Sequence, residues 1–137
     1  MEVEEGQIYG LIGPNGAGKT TFLNSISGHF PPTSGKVYFR GNDTTGFSAE
    51  HMCRLGMART FQIPSPFGKL TVLENVKVGA VFGAPSDQKK PAIERAFEAL
   101  DFVGFNQSPE TPAERLNAVQ LKHLDLGYCC LMSWLLV

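Results

Sequence analysis

The segment from Gly13 to Thr21 constrains this chain more than any other part of it. It reads Gly-Pro-Asn-Gly-Ala-Gly-Lys-Thr-Thr and contains the pattern G-x-x-x-x-G-K-T. Glycines allow a tight turn in which successive backbone N–H groups point at one anion. The pattern predicts a phosphate-binding loop in which Lys19 contacts the outer phosphates and the Thr20 hydroxyl holds Mg²⁺. The predicted phosphate-binding residues are Gly13, Pro14, Asn15, Gly16, Ala17, Gly18, Lys19, Thr20 and Thr21.

Both flanks of this loop favour the same interpretation. The residues before it, Gln7 to Ile12, are mostly apolar and predict a buried strand. The residues after it, Lys19 to Ser27, have helical spacing and are followed by Gly28, a typical helix stop. A strand, a loop and a helix in this order place the phosphates at the helix N-terminus, where the dipole favours negative charge. A chance glycine-rich turn is the alternative interpretation.

Composition narrows the class of protein. The chain has 137 residues, 42% of them hydrophobic, and a net charge of −1. These values are typical of one globular domain and give no electrostatic reason to expect binding to nucleic acid. The cysteines Cys53, Cys129 and Cys130 lack the paired spacing of a zinc site, so we expect reduced thiols.

Further patterns predict the remaining elements. They are a strand at Lys36–Arg40, a short helix between Ser48 and Gly56, a strand at Met57–Gln62, a helix opened by a capping box at Thr71–Glu74, a helix between Pro91 and Gly104, a last helix opened by a second capping box at Thr111–Glu114, and a buried strand or helix piece within Tyr128–Val137. The helix after Pro91 is expected to bury Ile93, Ala96, Phe97, Leu100 and Val103.

Two further stretches make a resemblance specific. Residues 58–62 read Ala-Arg-Thr-Phe-Gln, and residues 70–76 read Leu-Thr-Val-Leu-Glu-Asn-Val. Together with the loop, these stretches resemble the ATP-binding subunit of an ABC transporter. Their particular residues resemble the subunit of branched-chain amino acid importers. The resemblance runs from Val3 to Leu126. It implies an α/β P-loop NTPase fold: residues 1–70 as an incomplete core with the phosphate loop, residues 71–126 as a helical subdomain, and residues 127–137 as an atypical apolar tail.

The resemblance also implies a function and partners. ATP and Mg²⁺ would be the cofactors, with hydrolysis driving import of branched-chain amino acids from the cytoplasmic face of the cell membrane. Lys19 and Gln62 would act in catalysis, and Gln62 would touch the metal and the attacking water. Residues 63–83 would dock on the transmembrane permease, with Phe67 and Leu70 as candidate contacts, although either is equally suited to a core. A second ATP-binding subunit would complete a dimer.

The segment Leu116–Gln120 occupies the place of the family signature, Leu-Ser-Gly-Gly-Gln. Its candidate residues are Asn117, Ala118, Val119 and Gln120. Ala118 and Val119 replace glycines, and their side chains obstruct a close approach of the backbone to phosphate. An ordinary amphipathic helix start is the alternative interpretation.

The resemblance stops after Leu126. The family has a strand ending in Asp-Glu and then a switch histidine, whereas His29, His51 and His123 all precede that position. The chain also begins closer to its phosphate loop than the family does. We therefore expect a subunit truncated at both ends that does not hydrolyse ATP by itself. Two alternatives stay open: an ABC ATPase for urea, lipid or lipopolysaccharide, and a non-catalytic nucleotide-binding fragment.

Overall fold

The computed structural model describes residues 1–61, 63–82, 90–131 and, as backbone only, 134–136. Its helices are α1 (Lys19–Ile26), α2 (Ala49–Arg54), α3 (Val72–Phe82), α4 (Ala92–Phe102) and α5 (Ala118–Cys129). Its strands are β1 (Tyr38–Phe39), β2 (Asn42–Asp43), β3 (Met57–Arg59) and β4 (Trp134–Leu136). A 3₁₀ turn spans Ala113–Arg115.

The predicted helix after the phosphate loop is confirmed as α1, and Gly28 follows its end with φ 79°. A Cβ atom at Gly28 would lie 2.5 Å from the Phe47 carbonyl oxygen. Both the positive φ and this close approach require glycine. Because Phe47 directly precedes Ser48, the N-cap of α2, the end of α1 is packed tightly against the start of α2.

A short hairpin lies between α1 and α2. β1 pairs antiparallel with β2, with Tyr38 opposite Asp43 and Phe39 opposite Asn42. The turn residues Arg40 and Gly41 have φ of 51° and 76°, as a two-residue turn between twisted strands requires. Phe39 is buried and Tyr38 is exposed, so the predicted alternation along this strand is confirmed.

The predicted strand at Met57–Gln62 is shorter than expected. β3 ends at Arg59 and pairs in parallel with β4, Ala58 lying opposite Leu135. Beyond Arg59, the Phe61 carbonyl accepts a hydrogen bond from the Lys122 side chain at 2.7 Å.

The core sits among α3, α4 and α5. Its buried residues are Val72, Val76, Ala96, Ala99, Leu100, Ala113, Leu116 and Leu124. The predicted capping box of α3 is confirmed, since Thr71 N–H donates to Glu74 (2.8 Å) and Glu74 N–H donates to the Thr71 hydroxyl (3.2 Å). Gly79 allows α5 to pack closely against α3, since a Cβ atom at this position would lie 3.1 Å from the Tyr128 ring.

The buried face of α4 is rotated from the predicted one. Ala96 and Leu100 are buried as expected, but Ile93 and Phe97 are both 46% exposed. Arg95 is buried instead, because its guanidinium donates to the Ala80 carbonyl near the end of α3 at 2.8 Å. This bond joins α4 to the last described turn of α3.

The prediction of a buried strand at residues 7–12 is wrong in this structure. Ile8 is fully exposed and Ile12 is 96% exposed. No other described residue forms a strand ladder with this segment. A strand needs a partner for its backbone groups and a layer for its apolar face, and the described part of the chain gives this segment neither.

The prediction that Thr111–Glu114 opens the last helix is also wrong. That segment leads into the 3₁₀ turn, and Glu114 N–H donates to the Gly68 carbonyl at 3.0 Å rather than to Thr111. α5 begins later, at Ala118, with Asn117 as its N-cap.

Candidate nucleotide-binding site

The phosphate loop has the backbone that its glycines predict. Gly16 and Gly18 both have φ of 84°, in the left-handed region that other residues rarely adopt. Between them, Ala17 N–H donates to the Pro14 carbonyl at 3.2 Å and closes a turn. Gly18 stands directly before the first residue of α1. The loop therefore curls tightly onto the start of a helix.

The Lys19 ammonium lies inside this curl. Its Nζ donates to the carbonyl oxygens of Gly13 at 2.6 Å and of Pro14 at 2.8 Å. These bonds fold the side chain back over the loop rather than out into solvent. A positive charge is thereby held at the place where the predicted phosphates would sit.

The N-terminus of α1 is open to an anion. Gly18 supplies no side chain to cap the helix, and the first turn contains no acidic residue. The first-turn residues Thr20 and Thr21 are exposed. Uncapped N–H groups and the positive end of the helix dipole favour an anionic ligand, and the adjacent hydroxyls are of the type that ligates Mg²⁺.

The candidate signature residues form a helix cap in this structure. The Asn117 side-chain oxygen accepts from Gln120 N–H at 2.9 Å, and the Gln120 side-chain oxygen accepts from Asn117 N–H at 2.9 Å. Ala118 and Val119 lie in the first turn of α5, and Val119 is 66% exposed. The segment is therefore a capped helix start in this structure, and its contact with nucleotide stays a prediction.

Gln62 lies outside the described residues, so its predicted contact with metal and water stays a prediction. Phe61, directly before it, is described. Phe61 N–H donates to Asp125 Oδ2 at 3.4 Å, and its carbonyl accepts from Lys122 Nζ at 2.7 Å. Burial raises the pKa of the Asp125 carboxyl, an effect opposed by the Phe61 N–H and by the charge of Lys122. The structure thus places the Asp125 carboxylate against the Phe61 backbone, where it is partly buried.

The segment predicted to meet a permease shows apolar side chains at its surface. Of its described residues 63–82, Ile63, Phe67, Val81 and Phe82 are all more than half exposed. Leu70 is half-buried. Phe67 thus suits a contact with another molecule better than Leu70 does.

Asn75 holds this segment in place, and the sequence analysis missed it. Its side chain is buried: its Oδ1 accepts from Phe67 N–H (2.9 Å), and the two hydrogens of its Nδ2 are shared among the carbonyls of Phe67 (3.1 Å), Leu70 (3.2 Å) and Thr71 (2.9 Å). The sequence does contain a signal for this role: Asn75 is a single polar residue on the apolar stripe of α3. A carboxamide buried at such a position requires hydrogen-bond partners.

Within the described residues, no cluster of three His, Cys, Asp or Glu side chains is placed to hold a metal ion. Likewise, no helix in the part of the chain that the structure describes is long and apolar enough to cross a bilayer.

Comparison with known proteins defines the class. The ABC transporter family profile matches residues 1–130, so the chain belongs to the ABC transporter family. Its fold is that of the ATP-binding cassette: a solved cassette of an ABC transporter in its ADP conformation superposes with a TM-score of 0.72 at 32% identity, over 88% of this chain and 52% of that one. The expected α/β P-loop NTPase fold is thereby confirmed.

The more particular likeness is to amino acid transporters. A protein of Archaeoglobus fulgidus called "Probable branched-chain amino acid transport ATP-binding protein LivG" is 40% identical over 135 residues, which are 91% of this chain and 52% of that protein. The "High-affinity branched-chain amino acid transport ATP-binding protein LivG" of Salmonella typhimurium is 32% identical over 142 residues, covering 94% and 56%. The chain spans about half the length of the curated relatives it matches.

Proposed function

We propose that this chain binds the triphosphate of Mg-ATP at the loop Gly13–Thr21, as part of the ATP-binding subunit of an ABC importer. The observation that carries this proposal is the position of Lys19, whose ammonium lies over a loop closed by two left-handed glycines at the open N-terminus of α1. A positive charge, uncapped N–H donors and two hydroxyl-bearing residues thus lie together at the start of α1, which are the groups that triphosphate and its metal require.

We assign the remaining residues by the same family logic. Thr20 and Gln62 would meet Mg²⁺, and Asn117 to Gln120 would form the signature segment facing the nucleotide of a second subunit. Residues 1–70 would act as the nucleotide-binding core and residues 71–126 as a helical subdomain, followed by the apolar tail 127–137. These assignments are supported by the family membership of the chain.

The proposed cargo is a branched-chain amino acid, taken up through a permease at the cytoplasmic face of the membrane. Two observations support it. The two relatives described above are both named as branched-chain amino acid transport proteins. The exposed side chains of Ile63 and Phe67 give the segment before α3 an apolar surface suited to a membrane-subunit partner.

Hydrolysis by the 137-residue chain alone is not part of the proposal. Phosphoryl transfer in P-loop proteins needs an acidic strand end that holds the metal opposite the loop hydroxyl. The sequence contains no Asp-Glu pair. The carboxylate of Asp125 is occupied by Phe61. We therefore propose nucleotide binding for this chain and leave hydrolysis outside the proposal.

Calorimetric titration with Mg-ATP, Mg-ADP and Mg-tripolyphosphate tests the binding site. The Lys19→Ala variant should weaken all three ligands at least about tenfold, because a hydrogen bond to a charged group contributes about 1.5–3 kcal/mol. Lys77→Ala, which removes an exposed lysine of α3, is the matched control and should bind as wild type does. Equal affinities for wild type and Lys19→Ala would contradict the proposal.

A further inference from the structure

Arg59 connects the helix of the phosphate loop to β3. Its Nη1 donates to Asn24 Oδ1 at 2.5 Å and to Ser27 Oγ at 3.1 Å, both at the C-terminal end of α1. Its guanidinium carbon also lies 5.2 Å from the centre of the Phe61 ring, and the His29 ring packs on the same aromatic at 5.5 Å. The end of α1 and Phe61 are therefore held together through one side chain.

The other side of Phe61 is held by α5. Lys122 and Asp125 are three residues apart, so they lie on one face of that helix. Lys122 binds the Phe61 carbonyl at 2.7 Å, and Asp125 binds the Phe61 N–H at 3.4 Å. Both backbone polar groups of Phe61 thus end on α5, and none of these contacts is made by the phosphate loop or by the candidate signature itself.

We propose that residues 59–61 form a strut between α1 and α5, with Arg59, Lys122 and Asp125 as its positioning residues. α1 begins at the phosphate loop and α5 begins at the candidate signature segment, so the strut fixes the spacing of these two elements within one chain. Its relevance to ATP rests on the proposed function. Its existence as one continuous unit does not, because it is defined by contacts remote from the ligand.

The proposal that the strut is one continuous unit makes a measurable prediction. If the strut is one unit, breaking either end frees Phe61, and breaking the second end then adds little. If the two ends are independent contacts, their effects multiply. A double-mutant cycle separates these cases, because coupled residues depart from additivity and independent residues do not.

The cycle uses Arg59→Met, Lys122→Met and the double variant in the full 137-residue chain, with amide exchange of Phe61 measured by NMR. Each single variant should speed that exchange at least about fivefold, because Lys122→Met removes one hydrogen bond, which contributes about 1 kcal/mol, and Arg59→Met removes two. The double variant should fall short of the product of the single effects by at least about twofold. A double effect equal to the product would overturn the proposal.

Two controls separate positioning from general destabilisation. Lys122→Arg keeps a donor for the Phe61 carbonyl and should restore slow exchange, whereas equally fast exchange in Lys122→Arg and Lys122→Met would contradict the assignment. Arg54→Met and Lys77→Met remove exposed cations of α2 and α3, and their cycle should be additive.

A nucleotide titration gives the second readout. In wild type, saturating Mg-ATP should slow amide exchange in the first turns of α5. Lys122→Met should abolish that slowing while the dissociation constant for ATP stays unchanged. Slowing that persists in Lys122→Met would overturn the strut, whereas a wild-type chain that binds no ATP would refute the proposed function and leave the double-mutant cycle to decide the strut.

Discussion

Replacing Asn75 by alanine tests how the segment before α3 is held. The hydrogen bonds of the buried carboxamide fix the loop between Phe67 and Thr71, which carries the apolar side chain proposed to meet a permease. The variant removes all of these contacts at once and leaves the backbone of α3 unchanged. We expect it to lower the free energy of unfolding and to release the loop.

The structure sets the size of that effect. The three carbonyls that the amide contacts each keep another donor: Phe67 O accepts from Leu70 N–H at 3.0 Å, Leu70 O from Ala113 N–H at 2.9 Å, and Thr71 O from the backbone N–H of residue 75 at 3.0 Å. The amide has two hydrogens, so two donated bonds are lost, each at the low end of about 0.5–1.5 kcal/mol. Only the Phe67 N–H is deprived of the partner that holds it, at a cost of about 1–3 kcal/mol.

Helix propensity offsets part of the stability lost with these hydrogen bonds, because alanine is favoured over asparagine in a helix by roughly 0.5 kcal/mol. We therefore expect a net loss of about 1.5–3.5 kcal/mol, consistent with the loss of a buried polar network. Urea denaturation followed by circular dichroism measures it, and amide exchange at Phe67 reports the local release.

Asn106→Ala is the matched control, because Asn106 is exposed and lies in the connection after α4. It should change the free energy of unfolding by less than about 0.5 kcal/mol. A loss below about 1 kcal/mol in Asn75→Ala, with Phe67 still protected, would refute the reasoning that this carboxamide organises the loop.

The remaining predictions concern backbone strain, thiol chemistry and turnover. Gly28→Ala should destabilise the chain by clearly more than Gly35→Ala, because both have positive φ but only a Cβ at Gly28 would collide with backbone; comparison of their urea midpoints measures the difference, and equal midpoints would contradict it. Burial raises the pKa of the Cys129 thiol to about 12, so its reactive thiolate is scarce at neutral pH. Iodoacetamide should therefore label the exposed Cys130 before Cys129, and mass spectrometry of timed samples measures this order. The chain should release no phosphate from Mg-ATP above the Lys19→Ala background in a coupled assay, and release that depends on Lys19 would show that an Asp-Glu pair is dispensable for turnover.

Local sequence patterns predicted several elements correctly because the forces that form them are local. Ser48 and the pair Thr71 and Glu74 mark helix starts, since a side chain that satisfies the nearest free N–H groups does so in any fold. The phosphate loop belongs to the same class, because its glycines and Lys19 act within nine consecutive positions. The family resemblance, carried by that loop and by residues 58–62, was confirmed by the match over residues 1–130.

The sequence patterns failed where the outcome depended on distant partners. Residues 7–12 have the apolar run of a buried strand, but a strand exists only where another segment supplies the ladder. The buried face of α4 was decided by the Arg95 contact with the end of α3. Thr111 and Glu114 have the spacing of a capping box, but the Glu114 N–H donates to the Gly68 carbonyl and not to Thr111.

The sequence by itself determined the phosphate loop, the helix that follows it and the class of protein, because those depend on neighbouring residues and on their order. Tertiary structure alone decided the placement of Asn75 under the loop and of Phe61 between Arg59 and α5. Lys122 and Asp125 stand more than sixty positions from Phe61 along the chain. Hydrogen bonds across such a separation leave no periodic pattern in the sequence, since they form only after packing has brought the two elements together.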